Sequence, residues 1–143
     1  VLENGGFIDK YIGDAIMALF PDSPDQALHC SQAMLQRLEG YNDGRQRAGY
    51  RPIRIGIGIA TGRVIAGYTG TQRRATYTCV GDTVNLAARL EAHTKVALRS
   101  ILVDGRTRHA VGERIPMEAL GEVLFKGKSA AVPVFALDAP AQR

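Results

Sequence analysis

The chain of 143 residues predicts an α+β domain, with helices packed on a largely antiparallel or mixed sheet. Three observations predict it. Two apolar runs, FIDKYI (7–12) and AIMALF (15–20), flank Gly13-Asp14, and a two-residue connection containing glycine between such runs signals a tight hairpin. The stretch PIRIGIGIA (52–60) alternates strictly, with Ile53, Ile55, Ile57 and Ile59 on one face of a strand. Between such strands lie two segments whose apolar residues recur every three or four positions, the period of a helix.

In chain order, Pro21-Asp22 breaks the first hairpin. Ser23-Pro24-Asp25-Gln26 then starts a helix, with Ser as N-cap, Pro in the first helical position and Gln three residues on. Ala27, Cys30, Met34, Leu38 and Tyr41 form its apolar face, and the polar residues 42–49 end it as a loop. In the 52–60 strand the second face carries Arg54, Gly56, Gly58 and Ala60, leaving room for a neighbour or a ligand to approach the backbone. Residues 64–68 form a further strand, 69–75 a Gly- and Arg-containing arm, and 76–80 a short strand. A helix follows from Gly81-Asp82-Thr83 to about His93. Val84, Leu86, Ala87, Ala88 and Leu90 make it apolar around most of its girth, which predicts burial. Asn85 and Arg89, four residues apart, form a polar stripe with Asp82 that either faces solvent or, if buried with the helix, needs a partner such as a bound anion. Residues 100–104 read as a strand, 106–111 as a short helix, and 117–125 with 131–137 as a closing hairpin. The tail from 138 reads as frayed.

Length and composition fit one soluble globular domain, with 45% hydrophobic and 22% charged residues. No apolar run reaches the roughly 18 residues of a membrane span. The net charge of +4 comes from scattered cations rather than a basic run, and there is no tryptophan. That pattern suits a small polyanion better than a nucleic acid. Cys30 and Cys79 form no CxxC pair and have no metal-ligand spacing with His29, His93 or His109. They read as buried small hydrophobes in a reducing, cytosolic compartment.

The polar groups that stand out are Lys10 and Asp14 on the first hairpin, Thr78 on a strand, Asn85 and Arg89 on a helix, and Lys126 in the last hairpin. No Ser-His-Asp set competes with them, and no phosphate-binding G-x-x-x-x-G-K-[ST] loop is present. Taken alone, Gly13-Asp14 reads first as an ordinary turn with a solvated acid. Four stretches change that reading: KYIGDAIMALF (10–20), IGIGIATG (55–62), VGDTVNLAARLE (80–91) and FKGK (125–128). In this order and spacing they resemble the class III nucleotidyl cyclases, over about residues 5–137.

The resemblance implies a ferredoxin-like α+β sheet, with residues 1–137 a partial cyclase catalytic domain and 138–143 a tail. It implies adenylate cyclase activity, converting ATP to 3′,5′-cyclic AMP and pyrophosphate. Asp14 resembles one of two aspartates that hold two divalent cations, Mg²⁺ or Mn²⁺. Arg89 resembles the arginine that stabilises charge on the α-phosphoryl group, and Asn85 the residue that orients the ribose. Lys126 resembles a cation on the triphosphate, with Lys128 a near alternative. Lys10 and Thr78 stand where the family selects its base. Lysine suits adenine, where guanylate-specific relatives carry glutamate. Threonine in place of the adenine-binding aspartate resembles a mostly bacterial subgroup that includes bicarbonate-responsive cyclases. The family further implies a homodimer that shares its sites between chains, a cytoplasmic location, and no nucleic acid or membrane contact by the domain. One departure stands out. The family's first metal aspartate lies on an upstream strand, and neither Glu3 nor Asp9 fits its motif. The chain opens on Val1 and reads as a piece lacking that strand and its helices, inactive or nearly so by itself. The alternative is a non-catalytic cyclase-homology module for dimerisation or nucleotide sensing.

Overall fold

The computed structural model describes residues 1–69 and 76–137. After a short 3-10 turn at Leu2–Asn4 come strands β1 (Phe7–Ile12) and β2 (Ala15–Leu19) and helix α1 (Pro24–Arg47). Strands β3 (Ile57–Ile59), β4 (Ile65–Thr69) and β5 (Thr76–Val80) lead into helix α2 (Asp82–Ala97). Strand β6 (Ile101–Asp104), helix α3 (Gly105–Val111) and strands β7 (Glu118–Val123) and β8 (Val132–Ala136) complete the order. The expected α+β class is observed, divided into three sheets among the described residues. β1 pairs with β2 and β4 with β5, both antiparallel. The central sheet runs β3-β6-β8-β7, with β3 parallel to β6 and the other pairs antiparallel. The expected arm at 69–75 and the tail from Asp138 lie outside the described residues, save Thr69 at the end of β4.

β6 is buried along its whole length, and its alternation sorts the core into two groups. Leu102 joins Leu86 and Leu90 of α2, Phe125, Val134 and Ala136. Ile101 and Val103 join Leu28 of α1, Val111 of α3 and Ile115. A strand covered on both faces reads as a continuous apolar run, and ILV is one. Asp104 ends it by capping α3: its Oδ1 accepts from the Thr107 amide at 3.0 Å and the Thr107 hydroxyl at 2.6 Å.

Several sequence expectations need correction. The strand expected over 52–60 is confined to Ile57–Ile59, and Ile53 is partly exposed. The small-residue face of that strand admits a neighbour, as expected, and the neighbour is helix α2. A Cβ on Gly58 would stand 2.2 Å from the Ala87 carbonyl oxygen and 2.4 Å from the Glu91 amide nitrogen, so glycine lets α2 lie directly on β3. The first helix runs on to Arg47, where a loop from Asn42 was expected. Asn42 explains the extension, because its side chain accepts from the Ile53 amide at 2.7 Å and donates to the Ile53 carbonyl at 2.8 Å. The buried residues of α1 are Leu28, Cys30 and Ser31, while Tyr41 is exposed. Its expected start is observed: Ser23 is the N-cap, and its hydroxyl accepts from the Asp25 amide at 3.2 Å. Arg114 grips Asp25 with two hydrogen bonds of 3.0 Å, which hold the Asp25 carboxyl below the usual carboxylate range. Cys30 is buried and free, as expected, and the Cys79 side chain lies outside the described ones. No described helix is long and apolar enough to cross a membrane.

Candidate active site

The first hairpin turns through Gly13-Asp14, with Ile12 opposite Ala15. Gly13 has φ +60°, and Asp14 is not among the residues with positive φ. That is the pattern of a type II′ turn, whose twist matches the flanking strands. Asp14 therefore projects from an exposed tip, beside the exposed Tyr11, Ile12 and Ile16. Lys10 lies on β1, with 43% of its side chain accessible. β1 touches β5, so the strand of Lys10 lies against the strand of Thr78. Thr78 is placed by its backbone, opposite Gly67 of β4.

α2 carries Asn85 and Arg89. Leu86, Leu90 and Thr94 recur every four residues and form its buried line. Asn85 and Arg89 each precede a member of that line by one position, about 100° around the helix axis, and both are exposed. Of the two expected readings of this polar stripe, facing solvent or buried with the helix, the first is observed. The alanines of α2 are too small to widen the contact, and Ala88 is itself exposed. Burial therefore does not force an anion on Asn85 and Arg89. The two are instead accessible and, among the described residues, without a side-chain hydrogen bond or ion pair, so their donors are free to meet a ligand.

Lys126 is set by its neighbour. Phe125 is buried in the group formed with Leu86 and Leu90, and its ring meets His93 edge-on at 5.4 Å. The Lys128 amide donates to the Phe125 carbonyl at 3.1 Å and closes a turn with Lys126-Gly127 at its centre. Lys126 is exposed and Lys128 half-buried. The same core group that seats α2 thus seats the Lys126 turn. Two pairings emerge: Lys10 with Thr78 through β1 and β5, and Asn85 and Arg89 with Lys126 through Phe125. Asp14, at the tip, joins neither. Two shallow hollows near the end of α1, at Asp43, Gln46 and Arg47 and at Tyr41, Arg45 and Tyr50, include no candidate residue.

Three accessible cations, Lys10, Arg89 and Lys126, suit a polyanion. A hard divalent cation takes six or more oxygen ligands. Asp14 offers one exposed carboxylate, and no group of three His, Cys, Asp or Glu that could hold a metal exists among the described residues. Those residues alone do not make a complete metal centre. Sequence reasoning passed over two features. Phe125 is the anchor of the Lys126 turn, signalled by an aromatic residue directly before the Lys-Gly-Lys run. Asp9 has a buried side chain on β1, and no residue pattern announces it.

Comparison with known proteins bears on this arrangement. Residues 9–138 match the family described as Adenylate and Guanylate cyclase catalytic domain. The chain is 40% identical to an adenylate cyclase of Anabaena cylindrica, over 96% of this chain and 29% of that protein. It is 39% identical to the terminal-differentiation specific adenylate cyclase of Dictyostelium discoideum, over 94% of this chain and 7% of that protein. The chain thus spans less than a third of either relative. Among solved structures, the adenylyl cyclase CyaB of P. aeruginosa superposes with a TM-score of 0.84 at 28% identity, covering 99% of this chain and 76% of that one. The guanylyl cyclase Cya2 also gives 0.84, at 30% identity, covering 99% and 74%.

Proposed function

The chain belongs to the family of adenylate and guanylate cyclase catalytic domains, and from that premise we propose that it acts on ATP, forming 3′,5′-cyclic AMP and pyrophosphate. In this reaction the ribose 3′-oxygen forms a bond to the α-phosphorus. The bond from that phosphorus to the bridging oxygen breaks, pyrophosphate leaves, and the hydroxyl proton passes to solvent. The observation that carries the reading is the exposed pair Asn85 and Arg89, unpartnered among the described residues and one turn apart on a helix whose other face is anchored by Leu86 and Leu90. Arg89 supplies fixed positive charge where charge builds on the α-phosphoryl group, which a guanidinium does without changing protonation state. Asn85 orients the ribose, and Lys126, the more exposed lysine of its turn, meets the triphosphate. Lys10 and Thr78 read the base, the ammonium donating to a ring nitrogen and the hydroxyl accepting from the amino group.

Two divalent cations, Mg²⁺ or Mn²⁺, belong to this reading, with Asp14 as one carboxylate ligand; such ions lower the pKa of the attacking hydroxyl and neutralise phosphate charge. With one such carboxylate among the described residues, residues 1–143 alone turn over slowly or not at all. Two copies of the chain share each site, and the exposed Tyr11, Ile12 and Ile16 support an interface at the hairpin. The domain works in the cytoplasm.

The test is product analysis of the complete protein with ATP and Mn²⁺, beside its Arg89→Ala variant. Cyclic AMP and pyrophosphate should form, and the variant should lose more than about tenfold in turnover, roughly 1.4 kcal/mol of transition-state stabilisation. Its melting temperature should be unchanged. Full activity in the variant, or no nucleotide turnover by the parent, would overturn the reading. A guanylate reading is favoured by the 30% identity to the guanylyl cyclase Cya2, and preference for GTP in the same assay would establish it.

A further inference from the structure

Asp9 stands out in the molecule. Its side chain is wholly inaccessible, and among the described residues neither carboxylate oxygen has a hydrogen-bond partner. A buried, unsatisfied carboxylate is strongly disfavoured unless a nearby cation compensates it. Among the described residues the cation paired with it is Lys10, whose Nζ lies 3.8 Å from Asp9 Oδ2. That contact is unusual for strand neighbours, because consecutive side chains point to opposite faces. The register explains it. Ile8 opposes Ala18 and Lys10 opposes Met17, so β1 spends two steps where β2 spends one, and Asp9 is the extra residue of a β-bulge. A bulge bends its strand and re-aims the side chains on it. Here a buried carboxylate and a half-accessible ammonium come together, on the strand that touches β5, the strand that carries Thr78.

We infer that Asp9 is a positioning residue for purine selection: the bulge brings its buried carboxylate against the Lys10 ammonium and fixes the direction in which Lys10 meets the base. This rests on the reading of Lys10 as a base-reading residue. A free lysine has many rotamers and donates as readily to the ring nitrogen or carbonyl of a guanine as to an adenine. A lysine drawn to one side by a buried carboxylate 3.8 Å away presents its N–H donors along fewer directions. Discrimination then comes from lost freedom, and the isolated buried charge on β1 has a use that offsets its cost.

The experiment measures kcat/KM for ATP and GTP in the complete protein and in its Asp9→Asn, Lys10→Met and doubly substituted variants, with melting temperatures alongside. Asn conserves volume and removes the charge. The ratio of kcat/KM for ATP over GTP should fall by about fivefold or more in Asp9→Asn, chiefly through a raised KM for ATP. It should fall no further when Asp9→Asn is added to Lys10→Met. A merely structural Asp9 would move the melting temperature and leave the ratio alone, and that result overturns the inference. So does additivity in the double variant. If Asp9→Asn does not fold, Asp9→Glu takes its place: it keeps the charge but displaces it by one methylene, and an unchanged ratio there again overturns the inference. If Lys10→Met itself leaves the ratio unchanged, the base-reading role of Lys10 falls too. A Lys10 effect without an Asp9 effect overturns the positioning role alone.

Discussion

The hairpin β1–β2 and the sheet β3-β6-β8-β7 are built to opposite specifications. In the sheet, Ile101, Leu102 and Val103 are at most 1% exposed, and helices bury their side chains on both faces. In the hairpin, Tyr11, Ile12 and Ile16 are each at least half exposed, and the tip carries a carboxylate. The sheet holds none of the candidate site residues on its strands. It seats instead the helix and the turn that carry Asn85, Arg89 and Lys126. The hairpin carries Lys10, Asp14 and the anomalous Asp9 itself. Rigidity and chemistry are thus assigned to different parts, and substitutions should separate them.

The largest effect is expected in the sheet. Leu102→Ala removes a fully buried side chain from the group packed on α2 and should cost about 2–5 kcal/mol, read from denaturant unfolding. A smaller loss would show that the sheet is less tightly packed than its burial implies. Next comes the hairpin tip. Asp14→Asn should lower turnover of the complete protein by about tenfold or more and raise the Mn²⁺ concentration needed for half-activity, with stability within about 0.5 kcal/mol of the parent. Lost stability with intact turnover would reverse the division. Ser23→Ala, at the start of α1, should cost about 1 kcal/mol by freeing the Asp25 amide, with no change in turnover.

The smallest effect is in pH. Arg114 depresses the folded-state pKa of Asp25 below its ordinary value of 3.8. The unfolded chain therefore binds a proton at higher pH than the folded one does. The contribution is fully present above that ordinary value and is lost as pH falls through the depressed one. Asp25→Asn should accordingly lower stability slightly from neutrality down to about pH 4 and flatten the acid limb, so that variant and parent converge as pH falls further, which acid titration by circular dichroism checks.

The residues that set local geometry were legible in the sequence. Gly13 reads as a turn, Ser23-Pro24 as a helix start, and the two apolar runs around the Lys126 loop as a hairpin. The burial of individual side chains was not. Ile53 and Ile57 share one alternating pattern, yet β6 recruits only the second, because Ile57, Gly58 and Ile59 are the residues that find partners on it. Asn42 reads as a loop residue until Ile53 stands opposite its amide. Arg89 and Leu90 show the same limit within one helical turn: the residue string left open whether the arginine faces solvent or the interior, and it is accessible while Leu90 is buried. Asp9 marks the limit. A bulge is a property of two strands in register, and the residue string of one does not contain it.

The pairing of β6 also has a consequence in time. A chain emerging from the ribosome has its first hairpin complete by residue 20, because β1 and β2 are neighbours. Ile57 must wait for Ile101, and β6 for β8 at the far end of the chain. Until then β3 lacks the strand it pairs with among the described residues, although α2, which precedes β6, is already available to its Gly58 face. Contacts so distant in sequence are slow to form, so the domain presents its reactive hairpin early and becomes rigid late. For that interval the unpaired β3 is the part of the nascent chain most open to mispairing.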